Sequence, residues 1–111
     1  MEMRLNLDTV RCYGLTLTDL VATGGGANSP KWLQIKSDIM RVPVRTLRSS
    51  EGGLCGLAML ASVALGNDET LYTARERFVR YEREFTPSPS LPYENQYEKY
   101  KRIYLDVKEY F

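Results

Sequence analysis

Leu20-Val21-Ala22-Thr23-Gly24-Gly25-Gly26-Ala27-Asn28-Ser29-Pro30-Lys31-Trp32 is the stretch on which the fold turns. The apolar and β-branched run that leads into it predicts a strand over about 18–23. Three glycines follow, where the backbone can approach another molecule that a Cβ would keep away. Ser29-Pro30 then opens a helix, because serine caps free amides and proline is favoured in the first helical turn. Trp32, Ile35 and Ile39, with Leu33 and Met40 beside them, give that helix an apolar face to about Met40. Val42-Pro43-Val44-Arg45-Thr46-Leu47 reads as a second strand, with its proline at the strand start or on an edge. A right-handed crossover makes the two strands parallel.

Outward from this unit the signals are uneven. Residues 1–13 alternate as a strand would at Met1, Met3, Leu5 and Leu7, but Met3, Leu7 and Val10 also share a helical face. Gly14, suited to the position after a helix, favours helix. Past the loop at 49–53, Leu54-Cys55-Gly56-Leu57-Ala58-Met59-Leu60-Ala61-Ser62-Val63-Ala64-Leu65 is apolar on almost every side, which predicts a helix buried all round. After Gly66-Asn67, Asp68 or Thr70 caps a further helix with Leu71, Ala74, Phe78 and Tyr81 on one stripe. Thr86-Pro87-Ser88-Pro89-Ser90-Leu91-Pro92 cannot continue a helix and is an extended connector. Tyr93, Tyr97, Tyr100, Tyr104, Val107 and Phe111 recur at helical spacing, as tyrosines do when they pack on a core with hydroxyls at the rim.

Composition narrows the function. The chain has 111 residues, 43% hydrophobic and 26% charged, with a net charge of +1. That is the profile of one ordinary globular unit, without the basic excess of a nucleic-acid surface. There is no histidine, so the usual general base and the Cys/His zinc sites are excluded. Cys12 and Cys55 are far apart and read as small, buried, reduced hydrophobes. No apolar run approaches the ~20 residues of a membrane span, and the first residues lack an apolar signal core, so the expected compartment is the cytoplasm.

Two strands are too few for the parallel sheet that such helices normally cover on both faces. The expectation is a fragment, or a chain that self-associates or pairs with a missing part. The glycine turn itself admits two readings from residue types: a nucleotide-phosphate cradle in front of a helix N-terminus, or a tight turn with no ligand. GxxxxGK[ST] is absent. GxGxxG is met only in part, since Ser29 stands where the last glycine belongs. No acid closes the second strand to hold a ribose, although Arg48 could meet a 2′-phosphate. An NADP-binding βαβ module and a non-catalytic nucleotide-binding or interaction module are therefore the alternatives.

The longer string, Thr23 through Gln34 to Ser37-Asp38-Ile39, resembles the adenosine-binding segment of the FGGY carbohydrate kinases. Pro43-Val44, the Glu51-Gly52-Gly53-Leu54-Cys55-Gly56-Leu57-Ala58 helix start and Phe85-x-Pro87-x-Pro89 before a tyrosine-rich helix extend the likeness over about residues 15–111. The resemblance implies an α/β fold, part of an actin-like ATPase (ribonuclease H-like) domain. Here that means two parallel strands with about five helices, helix-rich and incomplete as a sheet. It implies that residues 1–111 are the C-terminal portion of the ATP-binding domain of a xylulokinase-like enzyme, with the N-terminal sugar-binding domain absent. The complete enzyme would transfer the γ-phosphate of ATP, with Mg²⁺, to a sugar or polyol. By position, Gly24, Gly25 and Gly26 supply backbone contacts to the nucleotide, and Asn28 and Ser29 polar contacts at the helix mouth, Ser29 being equally suited to a helix cap. No catalytic or metal residue is expected here. The family's aspartate base lies upstream, and Asp19 and Asp38 are not candidates for it.

Overall fold

The computed structural model describes residues 1–49, 51–89 and 93–110. Ser50 of the loop, Ser90, Leu91 and Pro92 of the connector, and Phe111 lie outside the described residues, as do the side chains of Tyr104 and Glu109. Helix α1 (Glu2–Cys12) ends at Gly14, whose φ of 81° is the left-handed conformation that terminates helices. Strand β1 (Leu20–Ala22) leads through a 3₁₀ turn (Gly25–Asn28) into α2 (Pro30–Met40), and β2 (Val44–Leu47) follows. Then come α3 (Gly52–Ala64), α4 (Leu71–Phe78), β3 (Tyr81–Phe85), α5 (Glu94–Val107) and a closing 3₁₀ turn (Lys108–Tyr110).

β1 and β2 pair in parallel, Leu20 opposite Val44 and Ala22 opposite Thr46, as the crossover requires. α2 lies on one face of the sheet, where Leu33, Met40 and Val44 form the buried core and Leu7, Leu20, Ala22 and Phe85 pack against it. The expected apolar face of α2 is rotated. Leu33, Ser37 and Met40 are the buried positions, while Trp32, Ile35 and Ile39 turn towards Met1 and Met3 at the start of α1 and line a cavity with them. Both stripes have helical spacing, so periodicity could not choose between them.

The sheet has a third strand, which corrects the expected count of two. β3 pairs antiparallel with β2. Tyr81 and Glu82, expected to continue α4, belong to it instead, because α4 stops at Phe78 and Val79 is already extended. The charge alternation of 80–84 suits a solvated helix surface as well as a strand. What decides it is the open edge of β2, whose unpaired amides and carbonyls gain partners only when the chain returns extended. β3 is exposed at every residue but Phe85, and its charges make it a defended edge.

The tyrosine expectation holds at Tyr97, which is buried, lies under the Arg4 guanidinium at 4.1 Å and donates a 2.7 Å hydrogen bond to Asp8 Oδ2. Burial, with that bond, pushes its phenol up to about 12. Arg4 and Arg41 both pair with Glu94 and fasten α5 to the α1–α2 side.

α3 is not buried all round within this chain, as the shortage of strands to cover it implied: Leu54, Leu57 and Leu60, with Leu65 just after the helix, are 63, 63, 57 and 76% exposed, and Ser62 is the residue of α3 that is buried. α3 packs on α4, with the Cys55 thiol near Phe78 O at 3.7 Å, and Arg77 joins Asp68 and Ser62 at its far end. The sheet face away from α2 carries the ion-pair row Asp19–Arg45–Glu84. Cys12, read as buried, is exposed at the end of α1; neither cysteine is paired.

Candidate nucleotide-binding turn

The turn between β1 and α2 is built by three different glycine roles. Gly24 has φ 74°, a conformation that strains any residue with a Cβ, and its carbonyl accepts from Ala27 N at 3.0 Å to close the turn. Gly25 and Gly26 do not have positive φ. A Cβ built on Gly25 would meet nothing within 4 Å, and one on Gly26 would meet only the Lys36 amine, at 3.9 Å. Neither backbone conformation nor crowding within the chain therefore requires glycine at 25 or 26. Both are exposed, so their bare backbone faces space outside the chain.

Ser29 acts as the N-cap of α2, its Oγ accepting from Trp32 N at 3.4 Å. Asn28 is exposed just before it, at one wall of a niche of about 140 Å³ also lined by Ala27, Pro30, Thr46, Glu82, Arg83 and Phe85. The five residues predicted for the site, Gly24, Gly25, Gly26, Asn28 and Ser29, thus form one continuous exposed surface at the C-terminal end of β1. Ligands of open α/β sheets collect at that end of the strands. The residues the sequence did not single out are Thr46, Glu82 and Arg83. They come from β2 and from the strand that was read as helix, so no local pattern could bring them to the turn.

The spacing from the glycines to Gln34 and Ser37-Asp38 has a mechanical explanation. Gln34 Nε2 donates to Thr86 O (2.8 Å) and to Asp38 Oδ1 (2.9 Å), and Ser88 N donates to the same Asp38 oxygen (2.8 Å). Ser37 Oγ, fully buried, donates to Phe85 O at 2.7 Å, with Val42 O at 3.0 Å as the second acceptor within reach of the same proton. Burial pushes the Asp38 carboxyl up, but the bonds from Ser88 and Gln34 outweigh it and hold it below the usual carboxylate range. These three side chains pin the chain after β3 onto α2, and so hold β3 over the turn. Asp19 is occupied by Arg45 at 3.0 Å. Among the described residues no cluster of His, Cys, Asp and Glu could hold a metal ion.

A parallel βαβ pair with a glycine turn at the carboxyl end of its first strand, covered by α2 and carrying an antiparallel edge strand, places the fold among the actin-like α/β ATPases. The C-terminal domain of the FGGY family of carbohydrate kinases matches residues 1–65, and the chain belongs to that family. It is 32% identical over 106 residues to a xylulose kinase of Staphylococcus epidermidis, covering 94% of this chain and 21% of the relative. An autoinducer-2 kinase of an Enterobacter species is 35% identical over 98 residues, covering 86% and 18%. The ligand-bound xylulose kinase from Lactobacillus acidophilus superposes with a TM-score of 0.76 at 25% identity, over 82% of this chain and 19% of that one. The xylulose kinase from Rhodospirillum rubrum superposes with 0.79 at 23% identity, over 98% and 22%, a likeness of fold. The chain spans about a fifth of the length of these relatives.

Proposed function

We propose that these residues are the C-terminal portion of the ATP-binding domain of a carbohydrate kinase, and that the turn Gly24–Ser29 receives the adenosine and α-phosphate of ATP. The observation that carries this reading is the openness of Gly25 and Gly26: the fold does not need glycine there, and a nucleotide pressed against the amides does. The helix N-terminus of α2 behind the turn favours negative charge. The complete enzyme transfers the γ-phosphate to a hydroxyl of a sugar or polyol, a xylulose-like pentose being favoured by the relatives. The sugar and the general base come from a sugar-binding portion on other sequence, so this chain works in an assembly, by pairing with that portion or by self-association. Mg²⁺ arrives on the phosphates, as it commonly does in phosphoryl transfer. The unpaired cysteines suit the cytoplasm.

Gly25→Val and Gly26→Val test the assignment, in this chain and in any longer polypeptide that carries it. Because neither position has positive φ, both variants should keep the parental Tm while ATP affinity falls at least tenfold, about 1.4 kcal/mol. Sugar affinity, where a sugar site is present, should hold, and NADPH should not compete. Variants that fold and bind ATP like the parent would reduce the turn to a turn.

A further inference from the structure

A cavity of about 300 Å³ lies where α3 and the end of α4 meet the end of β2, and it shares no lining residue with the glycine turn or the niche at Thr46. Its walls are apolar: Leu47 from β2, Cys55 from the first turns of α3, and Phe78 with Val79 from the end of α4. The opening follows from the local path of the chain. α4 stops at Phe78, Val79 is already extended and β3 begins at Tyr81, so neither helix nor strand fills the corner. Cys55, half-buried with its sulfur 3.7 Å from Phe78 O, is the small side chain that leaves the floor open.

Arg48 and Arg80 complete the lining. The Arg48 amide donates to Arg80 O at 2.8 Å, one step past the Leu47–Tyr81 pair, and so sets two cations side by side on the ladder. Like charges opposite one another on neighbouring strands repel. The arginines nearest to them in sequence are answered by acids: Arg45 meets Glu84 at 2.8 Å, and Arg77 meets Asp68 at 2.9 Å. Arg48 forms no ion pair with the described residues. The Arg80 guanidinium donates to the carbonyls of Glu76 and Val79 at the end of α4, which hold it in place without neutralising it. No carboxylate lines the cavity among the described residues.

We infer that this cavity is a binding site for a small organic acid, a carboxylate carried on a compact apolar body. Ligand sites are commonly clefts of about 300–1,000 Å³ with apolar walls and a few placed polar groups, and this cavity stands at the small end of that class. At ~30 Å³ per water it holds roughly ten, the scale of a ligand with about ten non-hydrogen atoms. The apolar body takes the floor between Leu47, Cys55, Phe78 and Val79, where its burial removes apolar surface from water. The carboxylate lies at the rim. There the guanidinium donors match its two oxygens, and its charge relieves the repulsion between Arg48 and Arg80. Both parts are required, because a bare anion leaves the floor empty and a neutral molecule leaves the cations unanswered.

Titration of the ¹⁵N-labelled chain with phenylacetate, followed through its amide chemical shifts, tests this. Phenylacetate should saturate with shifts centred on Arg48, Cys55, Val79 and Arg80, while the amides of Gly24–Ser29 stay in place. Phenylacetamide, its neutral isostere, should bind at least tenfold more weakly. Acetate and inorganic phosphate should give no saturable shift at these residues. Arg48→Gln and Arg80→Gln should each weaken phenylacetate at least fivefold, and Arg48→Gln should keep or raise Tm because it ends the like-charge contact. Cys55→Leu fills the floor and leaves both guanidiniums, so it should abolish binding; if that variant does not fold, the arginine variants carry the test alone. A parent without saturable shifts overturns the proposal, and so does equal affinity for phenylacetate and phenylacetamide. Acetate or phosphate binding as tightly as phenylacetate reduces the site to a surface cation pair and overturns it as well. Binding that survives both arginine variants has the same consequence.

Discussion

α2 and α3 are helices of similar length with apolar faces, yet one is sealed and the other bare. Leu33 of α2 is fully buried against Val44 and Met40, while Leu57 of α3 is 63% exposed, although α3 is the more apolar of the two. Hydrophobicity states a demand for cover without saying where the cover comes from. α2 finds it in the strands on either side of it in sequence, because a βαβ crossover folds a helix back on its own strands. α3 follows the last parallel strand and packs mainly on α4, while the sheet face away from α2 carries the ion pairs of Asp19, Arg45 and Glu84. Contiguous apolar surface of this kind on a folded chain marks an interface.

The comparison can be broken at either helix. The largest effect is expected at Leu33→Ala, which should lower stability by about 2–5 kcal/mol, the cost of a cavity in a packed core. Leu57→Ala, measured at concentrations too dilute for association, should cost less than about 0.5 kcal/mol, because most of its side chain is left uncovered by the described residues. Chemical denaturation of both variants checks the contrast, and similar losses would mean that α3 is covered within the chain. A smaller effect sharpens the account of α2's outer side. The Asp38 carboxyl is held below its usual range, so its contribution is complete above the unfolded carboxylate value of about 3.9 and is lost as pH falls through the lower folded value. Hydrogen exchange at Ser88 should therefore accelerate as pH drops through that window, relative to intrinsic rates. Asp38→Asn should remove the pH dependence, and a Ser88 amide whose protection ignores pH would show that the connector is held by something else.

Legibility followed range. The strand, glycine turn and capped helix of 20–40 could be read directly, since each depends on neighbours within a turn: Ser29 caps because the free amides are three residues away, and Gly24 turns because its own φ is positive. The family likeness was legible for the same reason, being a spacing along one segment. The role of Gln34 and Asp38 was not, because their partners Thr86 and Ser88 are some fifty residues on. β3 was hidden altogether. Residues 81–85 satisfy a helix pattern and a strand pattern equally, and only the open edge of β2 breaks the tie.

Local chemistry along the chain was enough to specify the elements of the nucleotide turn, the parallel pairing and the need to cover α3. It could not specify the niche at Thr46, whose walls are contributed by the turn, β2 and β3 together. The shortage of cover for α3 was legible as a shortage of strands, but which of its residues stay bare was not. Both depend on contacts between residues distant in sequence. Such contacts are selected by which backbone edges and apolar faces remain free once the local elements have formed, and that exists only in the folded arrangement.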